Sequence, residues 1–243
     1  MKKLTVILPA AGKGTRLNLP YPKEILRVDK EKALIDNSFD FFNGLSREKV
    51  EFIVVINEEK TEIIKYLSKY KSQYNISFTY QNPNEHEYTG AIKSAKHLFG
   101  ENNLVLLPDT LLTLANGVNL MDEVHYHLEE FGFAFLFKPE ADEQMLITKG
   151  CLQLDDGLRV SDYEDKPSKN LDRFTGYWCA FAFKREVFDE CILFMEQSTL
   201  KIENPKTPIN NTAIFKSKAI EVQDYKDLGT WEEISKLLSQ YQY

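Results

Sequence analysis

The chain has 243 residues, and at about 150 residues per domain this length predicts one large domain or two small ones. Hydrophobic residues make up 43% of it, and 30 basic against 37 acidic residues give a net charge of −7. The apolar content supports an ordinary buried core. The acidic balance argues against general binding to nucleic acid or anionic membranes, which needs a basic surface, but allows a small anionic ligand held by a few cations.

Neither a disulfide framework nor a membrane span is expected. The three cysteines, Cys151, Cys179 and Cys191, are far apart and odd in number, which favours buried, reduced thiols. No apolar run approaches the ~18 residues of a transmembrane helix, and the amino-terminal run from Leu4 to Ala11 is short and contains a proline. The sequence predicts a soluble, cytoplasmic enzyme or binding protein, and it leaves open whether the chain forms a homo-oligomer.

The first half of the chain alternates short apolar, β-branched runs with amphipathic helical patterns. Near-continuous apolar strands that alternate with helices are typical of a mostly parallel sheet covered on both faces. Ligands of such sheets bind beyond the carboxyl ends of the strands, so a site is expected in the loops after Leu8, Tyr80, Leu107 and Tyr225. The predicted strands are 4–10, 52–56, 76–80 and 104–109, and the predicted helices are 39–45, 58–70 and 90–99.

After about residue 130 the pattern changes to strands with few helices between them. Asp156-Gly157 separates two alternating runs, which predicts a β-hairpin. The end returns to α/β character, with a helical pattern from Arg185, a strand over 219–225 and a closing helix from Thr230. We predict a doubly wound α/β body, a mostly parallel mixed sheet with an antiparallel insertion, in one compact unit with two lobes. The strands predicted in the insertion are 131–138, 148–154, 158–163 and 174–183.

The loop after the first strand carries the most informative chemical signal. Its small residues and glycines let the backbone approach a phosphate chain, whose charge meets the exposed N–H groups. Arg16 and Lys23 add cations that could neutralise a triphosphate. The loop lacks the Walker pattern, and Leu17 stands where a dinucleotide fingerprint needs its third glycine. A solvated glycine turn is the alternative for the two glycines alone. The segment reads Pro9-Ala10-Ala11-Gly12-Lys13-Gly14-Thr15-Arg16-Leu17, followed by Pro22-Lys23-Glu24.

This whole segment resembles the G-x-G-T-R-L…P-K signature of the sugar-1-phosphate nucleotidyltransferases. Its Ala-Gly opening and Glu24 are most similar to the bacterial glucose-1-phosphate uridylyltransferases, and other segments resemble the thymidylyltransferases. The resemblance implies a Rossmann-like, GT-A-like fold in one nucleotidyltransferase domain over 1–243. Its nucleotide-binding part would be about 1–130, its sugar-binding lobe about 131–218 and its carboxyl-terminal strand and helix 219–243. It also implies that Arg16 and Lys23 are catalytic and that Ala11, Gly12, Gly14 and Thr15 bind the nucleotide.

Two further pairs of residues match motifs of the same family. Gln81, followed by Gly90, resembles the segment in which a glutamine and a glycine hold a pyrimidine base, and a glutamine side chain can both donate to and accept from uracil or thymine. Asp109 ends an apolar strand in Leu107-Pro108-Asp109, and Asp227 lies in a D-x-G-T segment. The resemblance implies that these two aspartates hold Mg²⁺, which typically takes one or two protein carboxylates. Each aspartate alone could instead be a helix cap or a surface group.

The antiparallel insertion carries the segments expected to bind the sugar phosphate. Glu164-Asp165-Lys166-Pro167 resembles the family's E-E-K-P motif, with Asp165 one methylene shorter than the usual acid. The resemblance implies that Asp165 touches the sugar and that Lys166 holds the phosphate and is catalytic. Gly150 resembles the glycine of the family's sugar-binding hairpin, although Lys149 replaces the usual tyrosine. The segment that contains Gly176 resembles the family's strand that closes the sugar pocket. An ordinary exposed hairpin is the alternative for this block.

The resemblance implies transfer of a nucleotidyl group from a nucleoside triphosphate, with UTP or dTTP favoured, to a sugar 1-phosphate, giving a nucleotide sugar and pyrophosphate. Mg²⁺ is the implied cofactor, and neither nucleic acid nor a membrane is an expected partner. Use of CTP or GTP on an unusual sugar phosphate is one alternative. Another alternative is a non-catalytic homologue that binds a nucleotide sugar. Loss of the metal aspartates or of the loop cations would favour this alternative, but both sets of residues are present. The sequence separates neither the sugar phosphates nor UTP from dTTP.

Overall fold

Residues 2–240, the part of the chain that the computed structural model describes, form eleven β-strands and eight α-helices together with short 3-10 turns. The strands are β1 (Leu4–Pro9), β2 (Val50–Ile56), β3 (Asn75–Tyr80), β4 (Asn102–Val105), β5 (Thr110–Thr113), β6 (Phe133–Pro139), β7 (Gly150–Leu154), β8 (Val160–Asp165), β9 (Gly176–Lys184), β10 (Ile220–Glu221) and β11 (Asp224–Asp227). The helices are α1 (Asp36–Asp40), α2 (Glu62–Leu67), α3 (Glu87–Ser94), α4 (Leu120–Phe131), α5 (Glu143–Leu146), α6 (Phe188–Thr199), α7 (Ala213–Lys216) and α8 (Trp231–Gln240). None of the helices in residues 2–240 has both the length and the apolar composition that crossing a membrane requires.

The chain divides into two compact units. The first unit comprises Lys3–Phe99, Val105–Thr113 and Asp224–Tyr243. The second unit comprises Met1–Lys2, Gly100–Leu104 and Leu114–Gln223. The expectation of a single nucleotidyltransferase domain over 1–243 is not tested by this division and stays a prediction.

Parallel strands form the main sheet of the first unit. β1 pairs with β2 from Leu4 opposite Val50 to Pro9 opposite Val55. β2 in turn pairs in parallel with β3. Beyond the end of β4, the Leu106 N–H donates to the Ile7 carbonyl over 3.1 Å. β1 is buried along almost its whole length, which explains its near-continuous apolar sequence. The carboxyl ends of these strands meet at one edge of the sheet, and the loops that follow them are therefore neighbours.

A second, two-stranded sheet completes the first unit. β11 pairs with β5 in antiparallel fashion, so that Asp227 lies opposite Thr110. Helix α8 is amphipathic, and its Ile234 and Leu237 belong to a buried apolar cluster with Leu17 at the end of the glycine-rich loop. The Trp231 indole N–H at the start of α8 donates to the Leu17 carbonyl over 3.0 Å. Helix α8 thus anchors one end of the glycine-rich loop.

The second unit contains the antiparallel insertion that the sequence predicts. Its strands follow the order β10-β6-β9-β4, with β10 parallel and β9 antiparallel to β6. β7 and β8 form the hairpin predicted at Asp156-Gly157, and β7 also pairs with β9. Rings on these strands pack against one another, as in the stacked pair of Phe135 and Tyr163. Aromatic rings are therefore a substantial part of the core of this unit, beside its aliphatic side chains.

Two predicted strands are wrong in their extent. The strand expected over 104–109 ends at Val105, because Pro108 has no N–H with which to continue a ladder, and the chain starts the separate strand β5 at Thr110. The single strand expected over 219–225 is two short strands, β10 in the second unit and β11 in the first. Apolar content marked both segments as extended, but it does not specify their pairing partners.

The three cysteines are buried and form no disulfide, as the sequence predicts. Burial raises the pKa of the Cys151 thiol to about 12, with the nearby Asp165 and Glu164 carboxylates adding to the effect. Burial likewise raises the pKa of Cys191 to about 12. Both thiols are therefore protonated at neutral pH, and they are not nucleophiles, because the thiolate is the reactive form.

Candidate active site

A cavity of about 1200 Å³ opens within the first unit, at the carboxyl edge of its parallel sheet. Residues from the loops after β1, β2, β3, β4 and β11 line it. All four loops in which the sequence predicts a site contribute residues to the lining, the last of them through Asp227 and Gly229. The sequence-predicted residues that line this cavity are Ala11, Gly12, Gly14, Thr15, Arg16, Lys23, Gln81, Asp109 and Asp227.

The glycine-rich loop is held at several points. Gly14 adopts a φ of 65°, in the left-handed region that glycine enters without a steric penalty. Its carbonyl accepts from the Leu17 N–H over 3.2 Å, which closes a turn. At the start of the loop, the Asn57 side chain donates to the Ala11 carbonyl over 2.7 Å. The loop backbone is thus fixed from both β2 and its own turn, as a phosphate-binding backbone requires.

Lys23 and Asp109 form an ion pair on the wall of the cavity. Burial by itself would lower the pKa of Lys23, but the adjacent Asp109 carboxylate, helped by Glu24 and Asp227, raises that pKa above its ordinary value. Lys23 therefore carries its charge throughout the physiological pH range. The two side chains are only 20% and 16% exposed, so their attraction is screened less than that of a surface pair.

A second ion pair lies buried next to the first. The Lys60 ammonium donates to both carboxylate oxygens of Glu24, over 2.7 and 2.9 Å, and the two side chains are 6% and 2% exposed. Burial raises the pKa of Glu24 and lowers the pKa of Lys60, while their mutual attraction opposes both shifts. Because Glu24 follows Lys23 in one short 3-10 helix, this pair fixes the backbone that carries Lys23.

Asp109 and Asp227 are brought together by the small sheet of the first unit. The Leu228 N–H donates to the Asp109 carbonyl over 3.0 Å. One Asp227 carboxylate oxygen accepts from the Gly229 N–H over 3.0 Å, which fixes the side chain. Among the described residues, no group of three His, Cys, Asp or Glu side chains forms a protein-only metal site. Two carboxylates facing a solvent-filled cavity nevertheless suit Mg²⁺, which fills its remaining positions with phosphate oxygens and water.

Gln81 lines the cavity, whereas Gly90, which is buried in α3, is not one of the lining residues. The Gln81 amide NH₂ donates to the Glu85 carbonyl over 2.9 Å and faces the Glu87 carbonyl at 3.4 Å. The Gly90 N–H donates to the His86 carbonyl within α3. A side chain at Gly90 would lie 2.8 Å from the Glu85 backbone and 3.2 Å from the Gln81 amide nitrogen. Gly90 therefore makes room for Gln81, and its own backbone donor is engaged in the helix.

The residues predicted to bind the sugar phosphate lie in the second unit. Gly150 opposes Asp165 in the β7–β8 hairpin, and Gly176 begins β9 opposite Leu152 of β7. Asp165 is buried, and the adjacent Lys166 has a φ of 46°. The Lys166 N–H donates to the Lys149 carbonyl over 2.8 Å. These residues are therefore neighbours around one end of the hairpin.

Sequence reasoning missed three residues that support these groups. Asn57 holds the glycine-rich loop and Lys60 pairs with Glu24. Both residues follow β2, which is not one of the strands after which the sequence predicts a site. Lys201 donates to carbonyls of the Asp165-Lys166 turn. The position of Asn57 directly after an apolar strand was a usable signal. Lys60 and Lys201 lie in ordinary amphipathic or polar segments, which gave none.

Comparison with protein families identifies the fold and the family. The model of a nucleotidyl transferase family matches residues 4–242. The chain belongs to the nucleotidyl transferase family. No curated protein matches the chain significantly in sequence.

Solved structures of other family members share the fold of this nucleotidyl transferase. A Bacillus anthracis protein assigned as a glucose-1-phosphate thymidylyltransferase, in complex with sucrose, has a TM-score of 0.73 at 16% identity over 98% of this chain and 94% of that one. The UDP-glucose pyrophosphorylase of Acinetobacter baumannii has a TM-score of 0.72 at 18% identity over 99% and 93%. An apo UDP-glucose pyrophosphorylase has a TM-score of 0.73 at 18% identity over 99% and 98%. The predicted fold, a mixed α/β fold with a mostly parallel central sheet and some antiparallel strands, is confirmed.

Proposed function

We propose that this nucleotidyl transferase joins a sugar 1-phosphate to a pyrimidine nucleoside triphosphate, UTP or dTTP, and releases pyrophosphate. One observation carries the proposal: a single cavity gathers a glycine-rich loop, two cations and two aspartates from separate loops of the first unit. This is the set of groups that binding and activating a triphosphate requires. The structural neighbours, which are described as UDP-glucose pyrophosphorylases and a glucose-1-phosphate thymidylyltransferase, support the same reaction class.

In the proposed reaction, an oxygen of the sugar phosphate attacks the α-phosphorus of the nucleotide in line, and pyrophosphate leaves on the opposite side. Backbone N–H groups of the loop from Ala11 to Thr15 bind the triphosphate. Arg16 and Lys23 stabilise the negative charge that develops on the leaving pyrophosphate. Because the reaction needs little proton transfer, its rate depends mainly on positioning and charge neutralisation.

Asp109 and Asp227 would hold the divalent metal ion. When bound, Mg²⁺ would neutralise charge on the phosphates and polarise the reacting phosphoryl group. The carboxylates fit this ion because they supply hard, anionic oxygen ligands in the same cavity as the glycine-rich loop. Lys23, which pairs with Asp109, would then be released to bind the triphosphate.

For the acceptor, we propose that Lys166 binds and orients the sugar phosphate. Asp165 would accept hydrogen bonds from sugar hydroxyl groups. Gly150 and Gly176 would contribute backbone groups to the sugar pocket, because the space that a side chain would take at these glycines is filled by the Trp178 indole and by the Phe137 ring and Lys138 carbonyl. These assignments follow the match of each residue to the family motif and the clustering of all four around one hairpin end.

The proposed function is tested with purified protein, Mg²⁺, each of the four ribonucleoside triphosphates and dTTP, and a panel of sugar 1-phosphates. We expect pyrophosphate and a nucleotide sugar in equal amounts, formed only when a sugar phosphate is present. Omitting the sugar phosphate is the control, because hydrolysis of the triphosphate would not need it. The absence of pyrophosphate with every pair would refute the proposal and favour a non-catalytic binding protein.

The metal assignment makes a separate prediction. We expect Asp109→Asn and Asp227→Asn each to raise the Mg²⁺ concentration for half-maximal rate by about tenfold, because each removes one charged ligand. The double variant should lose much less than the sum of the two effects in free energy, since both residues serve one ion. Mn²⁺ binding measured by electron paramagnetic resonance, in the presence of the nucleotide, gives a readout independent of turnover. Full additivity, or unchanged Mn²⁺ affinity, would contradict a shared site.

The base assignment predicts nucleotide preference. Since the Gln81 amide NH₂ donates to backbone carbonyls, its oxygen is the group left to accept a hydrogen bond. Uracil and thymine present an N3–H donor, whereas cytosine presents an acceptor at N3, and an unpaired buried group costs about 1–3 kcal/mol. We expect UTP or dTTP to be preferred over CTP by about tenfold or more, and over purine triphosphates by more still.

Competition among all the triphosphates at equal concentration measures this preference. Gln81→Ala should erode it while leaving the metal dependence unchanged. Asn82→Ala, at the exposed neighbouring position, is the matched control and should keep the preference. A clear preference of the wild-type protein for CTP or GTP would refute the base assignment but leave the reaction class intact.

A further inference from the structure

The turn that carries Lys166 has a strained backbone. Lys166 has a φ of 46° although it is not a glycine, and residues with a side chain adopt such a left-handed conformation only at a steric cost. It also precedes Pro167, and a residue before proline favours an extended conformation with negative φ. A backbone of this kind persists only where surrounding contacts hold it.

Four hydrogen bonds hold this turn. The Lys166 N–H donates to the Lys149 carbonyl over 2.8 Å. The Asp165 N–H donates to the Ser198 hydroxyl oxygen over 3.0 Å. The Lys201 ammonium donates to the Asp165 carbonyl and, over 3.0 Å, to the Lys166 carbonyl. Lys201 is thus the charged side chain that binds both carbonyls of the turn.

Lys201 is itself presented by a fixed piece of backbone. Helix α6 ends at Thr199, and Lys201 follows with a φ of 54°. Its N–H donates to the Ser198 carbonyl, and the Ile202 N–H donates to the Gln197 carbonyl, each over 3.0 Å. The end of α6 therefore supplies both the Ser198 hydroxyl and the Lys201 ammonium to the same turn.

We propose that Lys201 is a positioning residue, which fixes the left-handed turn at Asp165-Lys166 so that the Lys166 ammonium is held for the acceptor phosphate. This inference rests on the proposed function, because it assigns Lys166 to the sugar phosphate. An ammonium suits the task because it has three donors and a charge, and hydrogen bonds from a charged donor are about twice as strong as neutral ones. Lys201 acts through carbonyl oxygens and does not itself touch the substrate.

The test compares Lys201→Met, Lys201→Arg and the control Lys206→Met, which alters an exposed lysine five residues further along the same unit. Lys201→Met should raise the KM for the sugar 1-phosphate selected by the panel about tenfold, with the KM for the triphosphate unchanged. Lys201→Arg keeps the charge and N–H donors and should restore most of the affinity. Lys206→Met should match the wild type. An equal rise of both KM values would overturn the proposal.

A double variant separates positioning from direct binding. If Lys201 acts only through Lys166, adding Lys201→Met to Lys166→Met should cause no further rise in the KM for the sugar phosphate. Multiplicative losses would mean that Lys201 binds the phosphate independently, and they would overturn the proposal.

Hydrogen exchange gives a readout that does not need turnover. Lys201→Met should raise the exchange rate of the Lys166 amide about tenfold or more while amides in β9 keep their protection. Unchanged exchange at Lys166 would overturn the positioning role. If the wild-type protein turns over no substrate pair, the proposed function fails, and this exchange measurement still decides whether Lys201 fixes the turn.

Discussion

Replacing Lys23 with methionine is expected to lower turnover by about 10²- to 10³-fold, the usual scale for removing one preorganised charged donor. Lys23 projects from a short helix whose backbone is fixed by the Glu24–Lys60 pair, so its charge is held at the cavity before substrate binds. In the proposed reaction this charge stabilises the leaving pyrophosphate. Methionine keeps most of the side-chain volume and removes the charge together with the N–H donors. Steady-state kinetics at saturating substrate measures the effect.

The control for this prediction is Lys65→Met. Lys65 is exposed on α2 and is not one of the residues that line the cavity, so the loss of its charge should leave turnover nearly unchanged. Circular dichroism and thermal unfolding should show that both variants fold. Near-normal turnover of a folded Lys23→Met protein would remove Lys23 from the active site.

Glu24→Gln is expected to lower the free energy of unfolding by about 3–5 kcal/mol, the range for breaking a buried ion pair by removing one partner. The substitution leaves the Lys60 ammonium buried beside a neutral amide, and Lys60 is only 6% exposed. The loss should exceed that of an ordinary hydrogen bond because the remaining charge has no compensation. Urea denaturation of both proteins measures it.

Two controls accompany this measurement. Adding Lys60→Met to Glu24→Gln removes the uncompensated charge, so the double variant should recover most of the lost stability. Glu232→Gln makes the same change at the solvent-exposed pair of Glu232 and Lys236 and should not measurably change stability. If Glu24→Gln has no more effect than Glu232→Gln, the buried pair does not stabilise the fold.

Local sequence patterns predicted the residues of the cavity because those residues follow strands. Apolar runs located the strands, and the first residues after the runs had to lie at one edge of a parallel sheet. Gly14, Gln81 and Asp109 could be identified in this way, since their positions depend mainly on where a strand ends. The resemblance of the three segments to family motifs then supplied the expected roles of these residues.

The supporting pairs could not be predicted in the same way. Glu24 and Lys60 are 36 positions apart, and Lys201 is 35 positions from Lys166. Contacts over such separations are decided by how the elements pack, and neither periodicity nor composition reports packing. The same limit applies to the wrongly predicted strand over 219–225, whose two halves pair with β6 and β5. Pairing depends on the register and the partner strand, which a single segment does not encode.

The central claim, attack of a sugar-phosphate oxygen on the α-phosphorus of the nucleotide, is tested most directly by isotope labelling. A sugar 1-phosphate carrying ¹⁸O at its non-bridging phosphate oxygens is converted with unlabelled triphosphate and Mg²⁺, and the products are observed by ³¹P nuclear magnetic resonance. We predict that the α-phosphorus of the nucleotide sugar shows the isotope shift of one bridging ¹⁸O and that pyrophosphate carries no label. Labelled pyrophosphate, or an unshifted α-phosphorus, would contradict the proposed reaction.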